Sequence, residues 1–269
     1  MQGRAEFIEK YAMEVVGELL SRGLAVYAVD LRGQGLSERL LPDHDKGHID
    51  DFTTYVRDLK SFLEAVVGSA APRPILAMGH STGGNIVLRY LAEWGASPFV
   101  AAAFTSPMTG LPRALLLHAV LAVASPLGLF DKSYMPGTGP FDPASRDFTT
   151  NDVTNDKRRY LFTDQWFQAD PRLKLGGPTR GWVRQALCSI GALNAPGVLE
   201  RLGLPVLIAS ASDDRVVDTG SHVDAVRRIP GARHIVVDGA KHEILMETDP
   251  RRAQFWAAFD GFVATLAGR

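Results

Sequence analysis

Pro74-Ile75-Leu76-Ala77-Met78-Gly79-His80-Ser81-Thr82-Gly83-Gly84 is the stretch on which the reading of this chain turns. Residues 74–78 form a short apolar run, the length and character of a buried strand. Residues 83–94, which end at Trp94, carry helical apolar spacing. Between them lies G-x-S-x-G, and this context gives the motif its meaning. A strand that must turn sharply into a helix holds the residue at its tip in a strained conformation, with its side chain outward. That residue is Ser81. Glycines two residues to either side leave room for the turn, where a Cβ would collide. The turn also aims the Thr82 N–H and the positive end of the helix at whatever the serine attacks. His80 is expected to pack against a neighbouring loop.

A serine hydroxyl is a weak nucleophile near neutral pH, and needs a histidine to take its proton and a carboxylate to orient that histidine. Downstream, residues 206–209 read as a buried strand that runs into Ser212-Asp213-Asp214-Arg215-Val216-Val217. An aspartate just beyond the C-terminal end of a parallel strand lies at the rim where such sheets carry their sites. Residues 234–237 read as the next strand, followed by Gly239-Ala240-Lys241-His242. The order serine, acid, histidine is thus Ser81, Asp214 or Asp213, His242. Asp-Arg-Val-Val favours Asp214, and Asp213 then caps the loop. His44, His48, His118, His222 and His234 fit the base less well by position.

Further segments extend the pattern. Residues 6–20 and 51–67 carry helical spacing, 24–29 and 99–104 read as strands, 222–228 and 250–266 as helices. Strands alternating with helices imply a doubly wound, mainly parallel α/β sheet covered on both faces. The alternation lapses between about 110 and 200. The expected organisation is a core of 1–109 and 201–269 with a mostly helical cap at 110–200. Leu115, Leu116, Leu117, Val120, Leu121 and Phe130 make the cap apolar. Leu116 and Val120 are candidate walls for an acyl chain, or they pack the cap itself.

Composition narrows the function classes. The 269 residues are 46% hydrophobic and 22% charged, with net charge −1, so there is no basic field for nucleic acid. Cys188 is the one cysteine, which excludes an internal disulfide or thiolate metal cluster and leaves a reducing cytoplasm as the expectation. His44 and His48 have metal-compatible spacing among Asp43, Asp45, Asp50 and Asp51, but read as a solvated loop. Gly33-Gln34-Gly35 lacks a following Gly-Lys-Ser/Thr and reads as a tight turn. The apolar window 111–130 is interrupted by Arg113, His118 and Pro126, and reads as a buried or lipid-facing helix.

Asp30-Leu31-Arg32-Gly33-Gln34-Gly35-Leu36-Ser37 resembles the D-x-R-G-x-G-x-S loop of α/β-hydrolases. Gly47-His48-Ile49-Asp50-Asp51-Phe52 and the Gly79–Gly84 turn look like the lysophospholipase L2 and monoacylglycerol lipase branch, and residues 239–242 resemble its histidine loop. Gly3-Arg4-Ala5-Glu6, with Tyr11 beyond it, resembles that branch's oxyanion loop, with Gln2 where the branch usually has His. The resemblance covers the chain outside the cap. It implies hydrolysis of lipid carboxylic esters through an acyl-enzyme, with no metal or organic cofactor. Carried over by position, the oxyanion donors are the backbone N–H groups of Arg4 and Thr82. Transient contact of the cap with a membrane surface goes with this reading. An acyltransferase, a thioesterase, and a hydrolase-fold binding protein without turnover are the alternatives.

The resemblance also sets an expectation for the sheet. The oxyanion loop follows the third strand of that fold directly, and here it stands at Gly3. Strands one to three are therefore expected to be missing from this chain: the expectation is a natural start upstream of Met1, the alternative a sheet gapped or re-paired between 24–29 and 74–78, or those two strands pairing directly.

Overall fold

The computed structural model describes residues 1–68 and 74–266. Its helices are α1 (Ile8–Ala12), α2 (Val15–Ser21), α3 (Thr53–Phe62), α4 (Thr82–Trp94), α5 (Ala114–Ala124), α6 (Lys157–Ala169), α7 (Arg180–Asn194), α8 (Thr219–Arg228) and α9 (Asp249–Ala264). Its strands are β1 (Ile75–His80), β2 (Phe99–Thr105), β3 (Val206–Ala211) and β4 (Arg233–Val237). They pair in parallel in the order β1-β2-β3-β4.

Alternate residues of each strand supply opposite layers, as the two-residue period of a strand requires. Ala102, Phe104, Val206 and Ile208 face the cluster built with α3, α4, α7 and α8. Ala101, Ala103, Leu207 and Ala209 face the cluster of α2 and α9, including Phe255, Trp256 and Phe259. Burial on both faces explains why these strands read as continuous apolar runs.

The cap region holds α5, α6 and α7 joined by single turns of 3₁₀ helix. Its core is continuous with that of the sheet: Leu121, Met135, Trp182, Val183, Ala186 and Leu187 belong to the α3–α4 cluster. A polar contact reinforces the seam. Ser189 on α7 donates to Asn85 Oδ1 on α4 at 2.6 Å, and Asn85 Nδ2 donates to Met108 O at 2.8 Å.

Three expectations need correction. Residues 6–20 form two helices, not one, and Glu14 at the break meets Arg158, Arg159 and Arg252. The helix expected over 51–67 is regular only to Phe62 and continues as a π turn over Leu63–Val67. Residues 24–29 are not a strand. Leu24 and Val26 are half-buried against the α9 side while Ala25 and Tyr27 are exposed, the alternation of an extended chain. Yet no ladder forms there among the described residues, because the free edge of β1 does not reach it. A mainly apolar cavity of about 440 Å³ lies between residues 24–28 and β1. At one end of that edge, Met1 N donates to Met78 O at 2.9 Å and His80 N donates to Met1 O at 3.0 Å.

Candidate active site

Ser81 stands between β1 and α4 with φ 51° and ψ −118°, a left-handed conformation that L-residues avoid. The surrounding backbone holds it there. Ser81 N donates to Thr105 O at 3.1 Å, and Ser81 O accepts from Met108 N at 2.9 Å. The glycines are steric necessities: a Cβ on Gly79 would lie 2.8 Å from Gly84 Cα, and one on Gly83 would lie 2.3 Å from Met1 O.

His242 follows β4 in the loop that leads toward α9, and is buried. Its Nδ1 lies 2.8 Å from Asp214 Oδ2. Asp214 Oδ1 accepts from Val216 N at 2.9 Å and Val217 N at 3.1 Å, so the loop after β3 fixes the carboxylate through its other oxygen. Burial alone would raise the Asp214 pKa, but the bond from His242 and the two backbone donors hold it below the usual carboxylate value. Asp213 points elsewhere: its carboxylate is half exposed and lies 3.4 Å from Arg215 Nε. Asp214 and His242 are thus in contact. Among the described residues Ser81 Oγ makes no hydrogen bond to His242. His80, the residue before Ser81, packs against the base, with its ring centroid 4.8 Å from that of His242. Catalytic hydrogen bonds are often long before substrate arrives. The His80 ring is itself fixed by Thr105 O at 3.0 Å, and burial lowers its pKa to about 4, so it is a neutral floor to the site.

The arm of residues 2–6 closes the other side. A Cβ on Gly3 would lie 3.1 Å from Ser81 Cβ and 2.9 Å from Glu6 Oε2, so a side chain there would have to displace both neighbours. Gln34 straps the arm: its Nε2 donates to Gly3 O at 2.7 Å and Glu6 O at 2.9 Å, and its Oε1 accepts from Ala5 N at 3.2 Å. In a trans peptide the N–H points opposite to the C=O. With Gly3 O turned to Gln34, the Arg4 N–H is directed the other way, off the strap. Among the described residues neither Arg4 N nor Thr82 N donates to a protein acceptor. Gln2 is buried, and its Nε2 donates to Asp30 Oδ1 at 3.0 Å. Asp30 Oδ1 also takes Ile8 N at 2.9 Å, which ties the arm to the Gly33–Gly35 turn.

Several residues of this site escaped sequence reasoning. Lys10 Nζ bridges Glu6 Oε1 at 2.7 Å and Glu243 Oε1 at 2.6 Å, and so joins the arm to the histidine loop beneath the surface. Burial disfavours every charge here, yet the two carboxylates keep Lys10 above its ordinary pKa, and Lys10 keeps Glu6 below its own. Glu6 at the position expected for the oxyanion loop was the only signal. His48 is not in a solvated loop: it is buried, with Nδ1 2.8 Å from Thr179 Oγ1 and Nε2 2.9 Å from Asp50 Oδ1, and it fastens the core to the start of α7. Of the two cap candidates, Leu116 is exposed and Val120 is half-buried against the main core.

The comparisons with known proteins agree with this architecture. The model of the family described as serine aminopeptidase, S33, matches residues 1–249. Lysophospholipase L2 of Escherichia coli strain K12 is 34% identical over 93% of this chain and 75% of its own. A monoacylglycerol lipase of Mycolicibacterium smegmatis is 25% identical over 93% of this chain and 81% of its own. Among solved structures, a soluble variant of monoglyceride lipase from Saccharomyces cerevisiae superposes with a TM-score of 0.76 at 20% identity, covering 97% of this chain and 83% of that one. By the extent of the family match, the α/β-hydrolase fold and the likeness to lysophospholipase L2, this chain belongs to the serine aminopeptidase S33 family, in its lysophospholipase L2 and monoacylglycerol lipase-like branch.

Proposed function

We propose that the protein hydrolyses the carboxylic esters of lipids, such as lysophospholipids or monoacylglycerols, through an acyl-enzyme on Ser81. The observation that carries this is the Asp214 Oδ2–His242 Nδ1 contact of 2.8 Å beside the strained Ser81 turn. Asp214 keeps the proton on Nδ1, which leaves Nε2 free to accept from Ser81 Oγ. As the hydroxyl attacks the ester carbon, the carbonyl oxygen gains negative charge. The N–H groups of Arg4 and Thr82, each without a protein acceptor, meet that charge together with the positive end of α4. His242 then gives its proton to the leaving alcohol, and a water activated by the same histidine cleaves the acyl-enzyme.

The cap supports a lipid substrate. Leu115, Leu116, Val123, Leu127, Leu129 and Phe130 are all exposed, an apolar surface suited to transient contact with aggregated lipid. No helix among the described residues is long and apolar enough to cross a membrane. A panel of monoacylglycerols and lysophospholipids of increasing acyl length, assayed with p-nitrophenyl acetate as the short reference, tests the reading. Turnover that rises with acyl length is expected. A profile that is flat or falls beyond acetate assigns the protein to small esters instead.

A further inference from the structure

Arg4 offers more than its backbone. Its side chain leaves the arm and enters the seam between core and cap, where Nη2 donates to Gly176 O at 2.5 Å. The guanidinium carbon lies 5.5 Å from the centre of the Trp182 ring on α7. A Cβ on Gly47 would lie 2.7 Å from Nη2, so the loop before His48 passes close against the guanidinium as backbone alone. Nε is buried and has no acceptor. Among the described residues no carboxylate pairs with Arg4. Arg4 is half-buried, whereas Arg89, Arg159 and Arg252 are buried, and each of those three has an acidic partner: Glu93, Glu14 and Glu18 respectively among them. Burial lowers the Arg4 pKa to about 10, with only Tyr55 opposing, so the group remains a cation at neutral pH.

A half-buried guanidinium with no carboxylate beside it and a buried Nε without an acceptor is poorly compensated, and its planar fork of donors matches phosphate and carboxylate oxygens. Arg4 also adjoins the reacting atoms, since Gly3 packs on Ser81. We infer that the Arg4 side chain is an anion subsite at the seam beside the Ser81 turn, and that it takes the phosphate of a glycerophosphate ester. This selects lysophospholipids over monoacylglycerols within the function proposed above, on which it rests. The geometry is suited to that class. In a lysophospholipid a glycerol backbone separates the scissile carbonyl from the phosphate, a tether about as long as the Arg4 side chain itself. One residue thus meets the substrate twice: its N–H at the developing oxyanion, its guanidinium at the headgroup.

The test uses competition and a substrate ratio. Glycerol 3-phosphate should inhibit p-nitrophenyl butyrate turnover by the wild-type protein competitively, and sodium butyrate should do so more weakly. Arg4→Gln keeps the backbone N–H and should raise the inhibition constant for glycerol 3-phosphate. In the same variant the ratio of kcat/KM for a lysophospholipid to that for the monoacylglycerol of equal chain should fall by about 30-fold, the loss expected for a charge-assisted hydrogen bond. The ratio cancels any change common to both substrates. Arg4→Lys, which keeps the charge without the fork, should lie between. No inhibition of the wild type by glycerol 3-phosphate overturns the proposal without recourse to any variant. An unchanged ratio in Arg4→Gln also overturns it. Butyrate inhibition that is as strong, and equally lost, reassigns the site to the acyl product. A wild-type protein that turns over p-nitrophenyl butyrate but neither lipid defeats the lipid-ester reading, while the glycerol 3-phosphate competition still decides the subsite.

Discussion

Asp214→Asn is the most informative single change, because the structure dictates which way the new amide must face. Asp214 Oδ1 accepts from two backbone donors, Val216 N at 2.9 Å and Val217 N at 3.1 Å, and only Oδ2 faces His242. In asparagine the carbonyl oxygen must stay on the two N–H groups. Turning it over would set an NH₂ against both, at a cost of about 1–3 kcal/mol for each group left without a partner. The NH₂ is therefore driven toward His242 Nδ1, which must become an acceptor. The imidazole proton moves to Nε2, the nitrogen that receives the Ser81 proton in the proposed mechanism, and the proposed general base is lost. A wrong-tautomer histidine of this kind costs about 10⁴ in kcat in the serine proteases, or ~5 kcal/mol of barrier at 1.36 kcal/mol per decade. A loss of 10³–10⁴-fold, roughly, is the expectation here on the same physical ground. Asp213→Asn removes a half-exposed carboxylate beside Arg215 and should leave turnover within about threefold, as surface changes do. The assay is kcat with p-nitrophenyl butyrate for both variants, with thermal melting to confirm folding. A folded Asp214→Asn variant within tenfold of wild type refutes the reasoning, and so does a larger loss in Asp213→Asn.

Two further outcomes follow from the supports of the site. Gln34→Ala orphans Gly3 O, Glu6 O and Ala5 N, so stability should fall by about 2–4 kcal/mol and kcat by about 10–100-fold, with kcat more affected than KM; a lower melting temperature with unchanged kcat would remove the arm from the mechanism. His222 is fully buried between Ser210 Oγ and Pro107 O, and burial lowers its pKa to about 4. Only the unfolded chain takes up its proton between about pH 6.5 and 4, so stability is full above that window and drains as pH falls through it, by about 2 kcal/mol between pH 7 and 5. Denaturant titration of His222→Gln should show a shallower acid loss than wild type, and parallel curves would contradict the assignment.

The parts of the fold that were legible in the sequence are those decided locally. The Ser81 turn was readable because its strand, glycines and helix lie within about two dozen residues, and their steric demands are set by near neighbours. β2 and β3 were visible as apolar runs because both faces of each are largely buried, and β4 was visible from its Ile235-Val236-Val237 run although only Val237 is fully buried; β1 and β3 extend farther than the runs suggested. Residues 24–29 have the same local character and form no ladder, since pairing belongs to a strand and its neighbour together. The break in the first helix was hidden for a similar reason: the apolar spacing of Phe7, Tyr11, Val15 and Leu19 runs through it, while Glu14 answers to arginines more than a hundred residues away. The site divides along the same line. Ser81, Asp214 and His242 could be proposed from motif order. The Lys10 bridge, the Gln34 strap and the Arg4 side chain depend on contacts between distant segments and left little trace in any one of them.

Covalent trapping tests the central claim most directly. A fluorophosphonate reacts with a serine only when a neighbouring base activates it, and the adduct remains on the nucleophile. Intact-protein mass spectrometry should show a single adduct on the wild type, peptide mapping should place it on Ser81, and Ser81→Ala should neither label nor turn over p-nitrophenyl butyrate while melting as the wild type does. Labelling on any other residue, or a Ser81→Ala variant that keeps near-native turnover, would contradict the assignment of Ser81 as the nucleophile.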